Sequence, residues 1–552
     1  MDIKNTNISK ITTFLLFTIF FAIGVATFKD YGISVDEEFQ RSNGFYWLNY
    51  VLSFTPFQEL NNAVALKMAQ IKGFTLPSPA DDPYYGVTFD LPAAFLEVIF
   101  KIDDPKNYFY FKHFLNFLLF FTASIFFYKI LLNRFANRYV ALIGTLFFVL
   151  SPRIYGNSFF NMKDIVSLSL LTISLYYCFK LLDKTSYKNL LIFSIFAALS
   201  TSQRMYGMCL PISFLIFYSL SVLSQKKNLN DFFGIVFFCI SFFVFLTIFW
   251  PFLWSNPVDN FLLTFDHMTH HYFYEKIKLL FNGTYISANS LPYNYILTWV
   301  LISTPILYTI LFLIGYIQIF KRFILKFINI KNKSYYYDLW RGVNEKKDLF
   351  ILFNITCIIS YLIFFSISMA NGWRHTFFIN IFIIYISTYA FYRINLNFKS
   401  ILKRKLLFGS IIFYLIFVVY KMVVYHPFQN LYFNSFFNQA SHKYFEVDYW
   451  GLSGRKFLED ILVIEKKIDP IKIGVASYLP LERSVKLLNK EERKKIEIVG
   501  QEYEKAHYLY SNLISEVDKR YNDKYKIPSN FSKISEFVIE GITVYEIYKK
   551  VN

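Results

Sequence analysis

Ile11-Thr-Thr-Phe-Leu-Leu-Phe-Thr-Ile-Phe-Phe-Ala-Ile-Gly-Val-Ala-Thr-Phe28 is an uncharged run of eighteen residues, long enough to cross a bilayer core as a helix. It leads directly into Lys29-Asp-Tyr-Gly-Ile-Ser-Val-Asp-Glu-Glu38, where Asp36 and Glu37 stand side by side. Outward from this start the chain keeps alternating between apolar runs and charged connectors. Of its 552 residues 55% are hydrophobic, and the mean hydropathy is +0.35. A soluble chain of that length is less apolar. The sequence therefore predicts a predominantly α-helical polytopic membrane protein with about eleven spans. They lie near 11–28, 111–132, 139–156, 165–182, 189–205, 207–223, 232–250, 295–320, 349–370, 376–392 and 406–425. Gly24-Val25-Ala26 resembles a weak leader-cleavage site, but the long run and the spans after it favour an uncleaved anchor. The 68 Phe and 43 Tyr rise together with Ile, Asn and Lys, a pattern of nucleotide bias, so aromatic runs are not read as stacking sites.

The formal charge of +18 is distributed by topology. Lys4 and Lys10, Arg134 and Arg138, Lys180 to Lys188, Lys226 and Lys227, Lys321 to Lys333, and Arg393 to Lys405 all fall on one side if the amino terminus is cytoplasmic. This is the positive-inside pattern of a multi-pass inner (plasma) membrane protein. It accounts for the basicity without nucleic acid and allows contact with anionic membrane lipids. Cys178, Cys209, Cys239 and Cys357 all lie in apolar segments, so no disulfide framework is expected.

The other side carries the long segments. One runs from 29 to 110 and another from Trp250 to Asn294. The region 426–552 follows the transmembrane domain, 1–425, and changes pattern. Ile471 to Ala476 and Ile496 to Val499 read as strands, and Glu536 to Tyr548 as a hairpin about Glu540-Gly541, with helix over Arg455 to Lys467. A small extracytoplasmic α/β domain is expected there.

Ionisable groups at span ends are costly and mark sites or pathways. Asp36 and Glu37 read either as an acidic turn capping the helix Glu38 to Leu52 or as a general base for a hydroxyl nucleophile. Ser151-Pro152-Arg153 to Lys163-Asp164 reads either as a capped re-entry turn or as phosphate-binding Arg153 and Lys163 with Asp164 as a second acid. Arg204 sits between two apolar runs with no acid close in sequence. It either snorkels or holds a lipid phosphate through its bidentate guanidinium. Asn371-Gly-Trp-Arg-His375 is a very short turn presenting Arg374 and His375, read as phosphate ligands in preference to an interface anchor. His267 and His271 are four apart, a spacing known from zinc-binding helices, but they lack an adjacent Glu or a third ligand. No metal is predicted; substrate or headgroup contact is the expectation for this cluster.

On Asp36-Glu37, the Arg153 to Lys163-Asp164 region, Arg204 and Asn371-Gly-Trp-Arg-His375, the sequence resembles the GT-C superfamily of polytopic glycosyltransferases. The nearest branch contains the protein O-mannosyltransferases and the lipid A aminoarabinose transferase. Trp250-Pro-Phe-Leu-Trp-Ser-Asn-Pro257, His426 to Asn434 and Asp448-Tyr-Trp-Gly-Leu-Ser453 look like bacterial members. The resemblance implies a polyprenyl-phosphate sugar donor and transfer on the extracytoplasmic face. The acceptor is a lipid, glycan or protein. Asp36 is the implied base, with Glu37 supporting it or binding the acceptor, and the donor phosphate falls to Lys163, Arg204 and Arg374. No cofactor is predicted, although some relatives use a divalent ion. The rivals are a lipid-linked glycan flippase, which binds without turnover, and a non-catalytic scaffold.

Overall fold

The computed structural model describes residues 3–71, 83–224, 229–270, 276–328, 339–365, 367–437 and 441–551. Helix α1 (Ile3–Thr27) is followed by three loop helices, α2 (Glu37–Leu52), α3 (Gln58–Gln70) and α4 (Asp90–Ile99). The body comprises α5 (Pro105–Phe135), α6 (Arg138–Val149), α7 (Pro152–Phe160), α8 (Asp164–Asp183), α9 (Tyr187–Gln203), α10 (Cys209–Ser224) and α11 (Leu229–Phe249). A second loop holds α12 (Pro257–His270) and the hairpin β1 (Lys278–Phe281) and β2 (Thr284–Ser287). Then come α13 (Tyr295–Ser303), α14 (Ile306–Ile328), α15 (Val343–Phe364), α16 (Asn380–Asn397) and α17 (Ile401–Val424).

Among the described residues nine helices are long and apolar enough to span a membrane, and α6 with α7 makes a tenth as a pair bent by 62°. Every predicted span falls on a helix; the count differs where the chain breaks. Pro152 has no amide hydrogen to continue α6 and instead starts α7. Helix α9 has 17 residues, about 26 Å at 1.5 Å per residue, the short limit for a crossing. Ion pairs mark the two ends of the bundle. Arg204–Asp164 and Arg374–Asp36 lie at one end, and Arg134–Asp348 and Lys347–Asp183 at the other. Asp164 and Asp183 bound the same helix, so α9 must return the chain from the second end to the first.

Helix α8 and the span containing α16 each have 83% of an 18-residue apolar stretch buried, as helices at the centre of a bundle do. Helices α1 and α17 expose Phe14, Ile19, Phe413 and Val423 at the periphery, where lipid is the natural solvent.

After α17 the chain first packs back on the helices. Asn434 Nδ2 donates to the carbonyl of Leu301 at 2.6 Å. Helix α18 (Ser453–Ile464) and five strands follow: β3 (Ile471–Val475), β4 (Ile496–Gly500), β5 (Tyr508–Ser511), β6 (Phe531–Ile539) and β7 (Ile542–Lys550). The sheet order is β4-β3-β5-β7-β6, with β3 parallel to β4 and β5, and β7 antiparallel to β5 and β6. Glu540 and Gly541 both have positive φ, the geometry of a tight hairpin turn. Strand β5 is four residues, all buried, so no alternation signals it in the sequence.

Candidate active site

The acidic pair is fixed before α2 begins. The amide of Val35 donates to the carbonyl of Trp450 at 3.0 Å, and Ser34 Oγ to the carbonyl of Phe160 at 3.2 Å. This short segment is therefore clamped between the helical body and the C-terminal region. Asp36 occupies the position before α2, yet its side chain makes no capping bond. It instead accepts from Arg374 Nη1 at 2.8 Å. Burial alone pushes its pKa up. Arg374, then Lys163 and Arg204, overcome that effect and hold it below the usual aspartate value.

Those three cations come from distant parts of the chain. Arg374 follows the Asn371-Gly372 turn, where φ values of 60° and 75° reverse the backbone. Its guanidinium lies over the Trp450 ring, 4.6 Å from the centroid. Lys163 precedes α8 and lies over the ring of Tyr85. The neighbouring Gly86 donates its amide to Ser202, and a Cβ on Gly86 would fall 2.1 Å from the same carbonyl. Only glycine lets the loop approach the end of α9 this closely. Arg204, at the end of α9, donates from Nε to Asp164 Oδ1 at 2.9 Å.

Asp36, Lys163, Arg204, Arg374 and His375 line one cavity of about 330 Å³. Glu37, Arg153 and Asp164, also expected at the site, do not line it. The carboxylate of Glu37 accepts from the Ser34 amide at 2.7 Å and pairs with His113 Nε2 at 3.0 Å, so it is wholly buried and faces away. Arg153 donates from Nε to the carbonyl of Tyr432 at 2.8 Å and packs on the Phe433 and Trp299 rings inside the protein. Asp164 is consumed by Arg204 and by Asn161, whose Nδ2 donates to Oδ2 at 3.0 Å. In the structure Glu37 ties down the acidic turn, Asp164 pairs with Arg204, and Arg153 bonds the segment after α17. Glu37→Gln is accordingly expected to cost about 1–3 kcal/mol of stability, because His113 loses a charged partner in a dry site. It should lower activity only severalfold, which paired thermal-unfolding and transfer measurements check.

Sequence reading did not single out Tyr85, Glu446 and Glu516, which also line the cavity beside Tyr449 of the Asp448–Ser453 stretch. Their positions depend on tertiary folding, with no local spacing to reveal them. Glu446 lies 5% exposed, and burial pushes its pKa up to about 8 against the opposing pull of Asn371 and Arg374. His267, from the histidine cluster on α12, lines the cavity and stacks on Tyr84 with centroids 4.1 Å apart. Its neighbour at 271 lies outside the described residues, so the His267–His271 pairing does too.

A cavity where the ionised carboxylate of Asp36 faces several cations suits a reaction in which a hydroxyl loses a proton while an anionic group departs. No curated protein matches the chain. Residues 93–254, from α4 past α11, match the family model described as dolichyl-phosphate-mannose-protein mannosyltransferase, a GT-C family domain, and this stretch carries Lys163 and Arg204; the resemblance read in the sequence holds over these residues, and the match supports a membrane glycosyltransferase.

Proposed function

We propose that the cavity transfers a sugar from a polyprenyl-monophosphate donor to an acceptor hydroxyl on the extracytoplasmic face of the inner membrane, with inversion, in building the cell envelope. The observation that carries this reading is the convergence of Asp36 with Arg374, Lys163 and Arg204 in one cavity. The donor's lipid tail lies among the spans. Its phosphate meets Arg374, Arg204, Lys163 and His375, which neutralise charge without calling on a metal. Asp36 takes the proton of the acceptor hydroxyl, and the acceptor oxygen bonds to the anomeric carbon. The bond from that carbon to the phosphate oxygen breaks, and its electron pair leaves on polyprenyl monophosphate. Water then takes the proton from Asp36. The C-terminal region, which supplies Tyr478, Ser515 and Glu516 to the cavity, forms the acceptor side.

The test is glycan and lipid profiling of a deletion strain complemented with wild type or Asp36→Asn. One glycan should disappear on deletion and return only with wild type, while its lipid-linked donor accumulates with the variant. Restoration by both proteins would favour the flippase, whose transport needs no base.

The site also fixes a pH signature. In the free protein the cations keep Asp36 ionised to below its ordinary pKa of about 4, so the acid limb of kcat/KM lies below that pH. Bound phosphate offsets the same cations, so Asp36 becomes more basic and the limb of kcat lies higher. Arg374→Gln removes the largest favourable charge and is expected to raise the kcat/KM limb. Coincident limbs in wild type, unmoved by Arg374→Gln, would mean that another group is the base.

A further inference from the structure

Two further carboxyl groups line the cavity: Glu516, which pairs with Lys524 and accepts from Tyr525, and Glu446. Glu446 is almost wholly buried yet forms part of the cavity wall. Asn371 Nδ2 approaches its Oε2 at 3.4 Å, a long hydrogen bond, and the amide of Leu280 in β1 also donates to it. Asp448, two residues on, is equally buried but satisfied within the fold. It accepts from the amides of Leu452 at 3.1 Å and Ser453 at 3.2 Å, and from Asn512 Nδ2 at 3.3 Å. Glu446 has no comparable set. Burial keeps its proton on at neutral pH, which gives it an O–H to donate as well as oxygens to accept. A buried group with unused hydrogen-bonding capacity costs free energy unless a ligand or water meets it.

Its partner ties it to the cations of the cavity. Asn371 and Arg374 belong to one turn, whose Arg374 end binds Asp36 and whose Asn371 end binds Glu446. A phosphate held by Arg374, Arg204 and Lys163 places the sugar attached to it beside this turn. We propose that Glu446 and Asn371 form the pocket for the hydroxyl groups of the transferred sugar and set which sugar is accepted. This rests on the donor reading above and extends it to the sugar. An aliphatic side chain at 446 would leave those hydroxyls unpaired in a dry wall, the situation in which hydrogen-bonding sites discriminate most strongly.

The experiment uses the full chain in lipid nanodiscs and measures Kd for farnesyl phosphate, alone and carrying mannose, glucose or galactose. In wild type at least one sugar is expected to tighten binding about tenfold over farnesyl phosphate, equivalent to about 1.4 kcal/mol. Glu446→Ala should bind farnesyl phosphate within about twofold of wild type and lose the sugar's contribution, and Glu446→Gln, which still donates and accepts, should keep most of it. A sugar contribution that survives Glu446→Ala, or that no probe shows in wild type, overturns the pocket. So does equal weakening of the bare phosphate, which would mark a packing role. Failure of wild type to bind farnesyl phosphate at all would instead remove the donor reading on which the pocket rests.

Discussion

Asp36→Asn is expected to slow transfer about a thousandfold, within the 10²–10⁴ typical of a removed general base. That is about 4 kcal/mol of transition-state stabilisation at about 1.4 kcal/mol per tenfold. Asparagine has the same shape and keeps an oxygen for Arg374 Nη1, but it takes no proton at any accessible pH. Stability should stay within about 1 kcal/mol of wild type, because the aspartate side chain is 31% exposed and its ion pair is partly screened. The capping role open from sequence predicts a protein that still turns over at the wild-type rate, because asparagine caps a helix about as well as aspartate. The missing capping bond at the start of α2 already weighs against it. Transfer assayed in nanodiscs beside thermal unfolding separates the two. Asp36→Asn should lose rate and keep stability, whereas Glu37→Gln should lose stability and keep most of its rate. An Asp36→Asn protein turning over at the wild-type rate would end the base assignment.

Sequence and structure agree most closely where a signal is local. Apolar runs locate the helices because length and hydropathy suffice for a span, and Glu540-Gly541 locates its hairpin because few residue types adopt positive φ at both turn positions. The charged connectors order the helix ends, and that order brought Asp36, Arg204 and Arg374 to one address. Partner choice was not legible. Asp164 and Arg204 are 40 residues apart and read separately as acid and phosphate ligand, although each is the other's counter-ion. The same limit hid the turn of Glu37 toward His113 and the arrival of Glu446 at the cavity wall. A residue's type and its end of the bundle follow from sequence. Which way it faces is decided by side chains hundreds of positions away, as between Asp36 and Arg374.

The Asp164–Arg204 pair gives the largest expected effect on stability. Both side chains are nearly inaccessible, at 1% and 6% exposure, so solvent does little to screen them. Asp164→Asn removes the charge and leaves a guanidinium buried beside a neutral amide. Breaking one side of such a pair costs about 3–5 kcal/mol, far more than the pair contributes relative to an apolar replacement. The variant should express poorly or unfold well below wild type. The double variant Asp164→Asn with Arg204→Gln should regain much of that stability, because no uncompensated charge remains, yet stay inactive, because the cavity has lost a phosphate-facing cation. If Asp164 were a second acid at the reacting centre, Asp164→Asn would instead remain stable and lose its rate. Thermal unfolding of the two variants beside their transfer rates decides between support and catalysis, and the buried Arg204 Nε to Asp164 Oδ1 bond at 2.9 Å favours support.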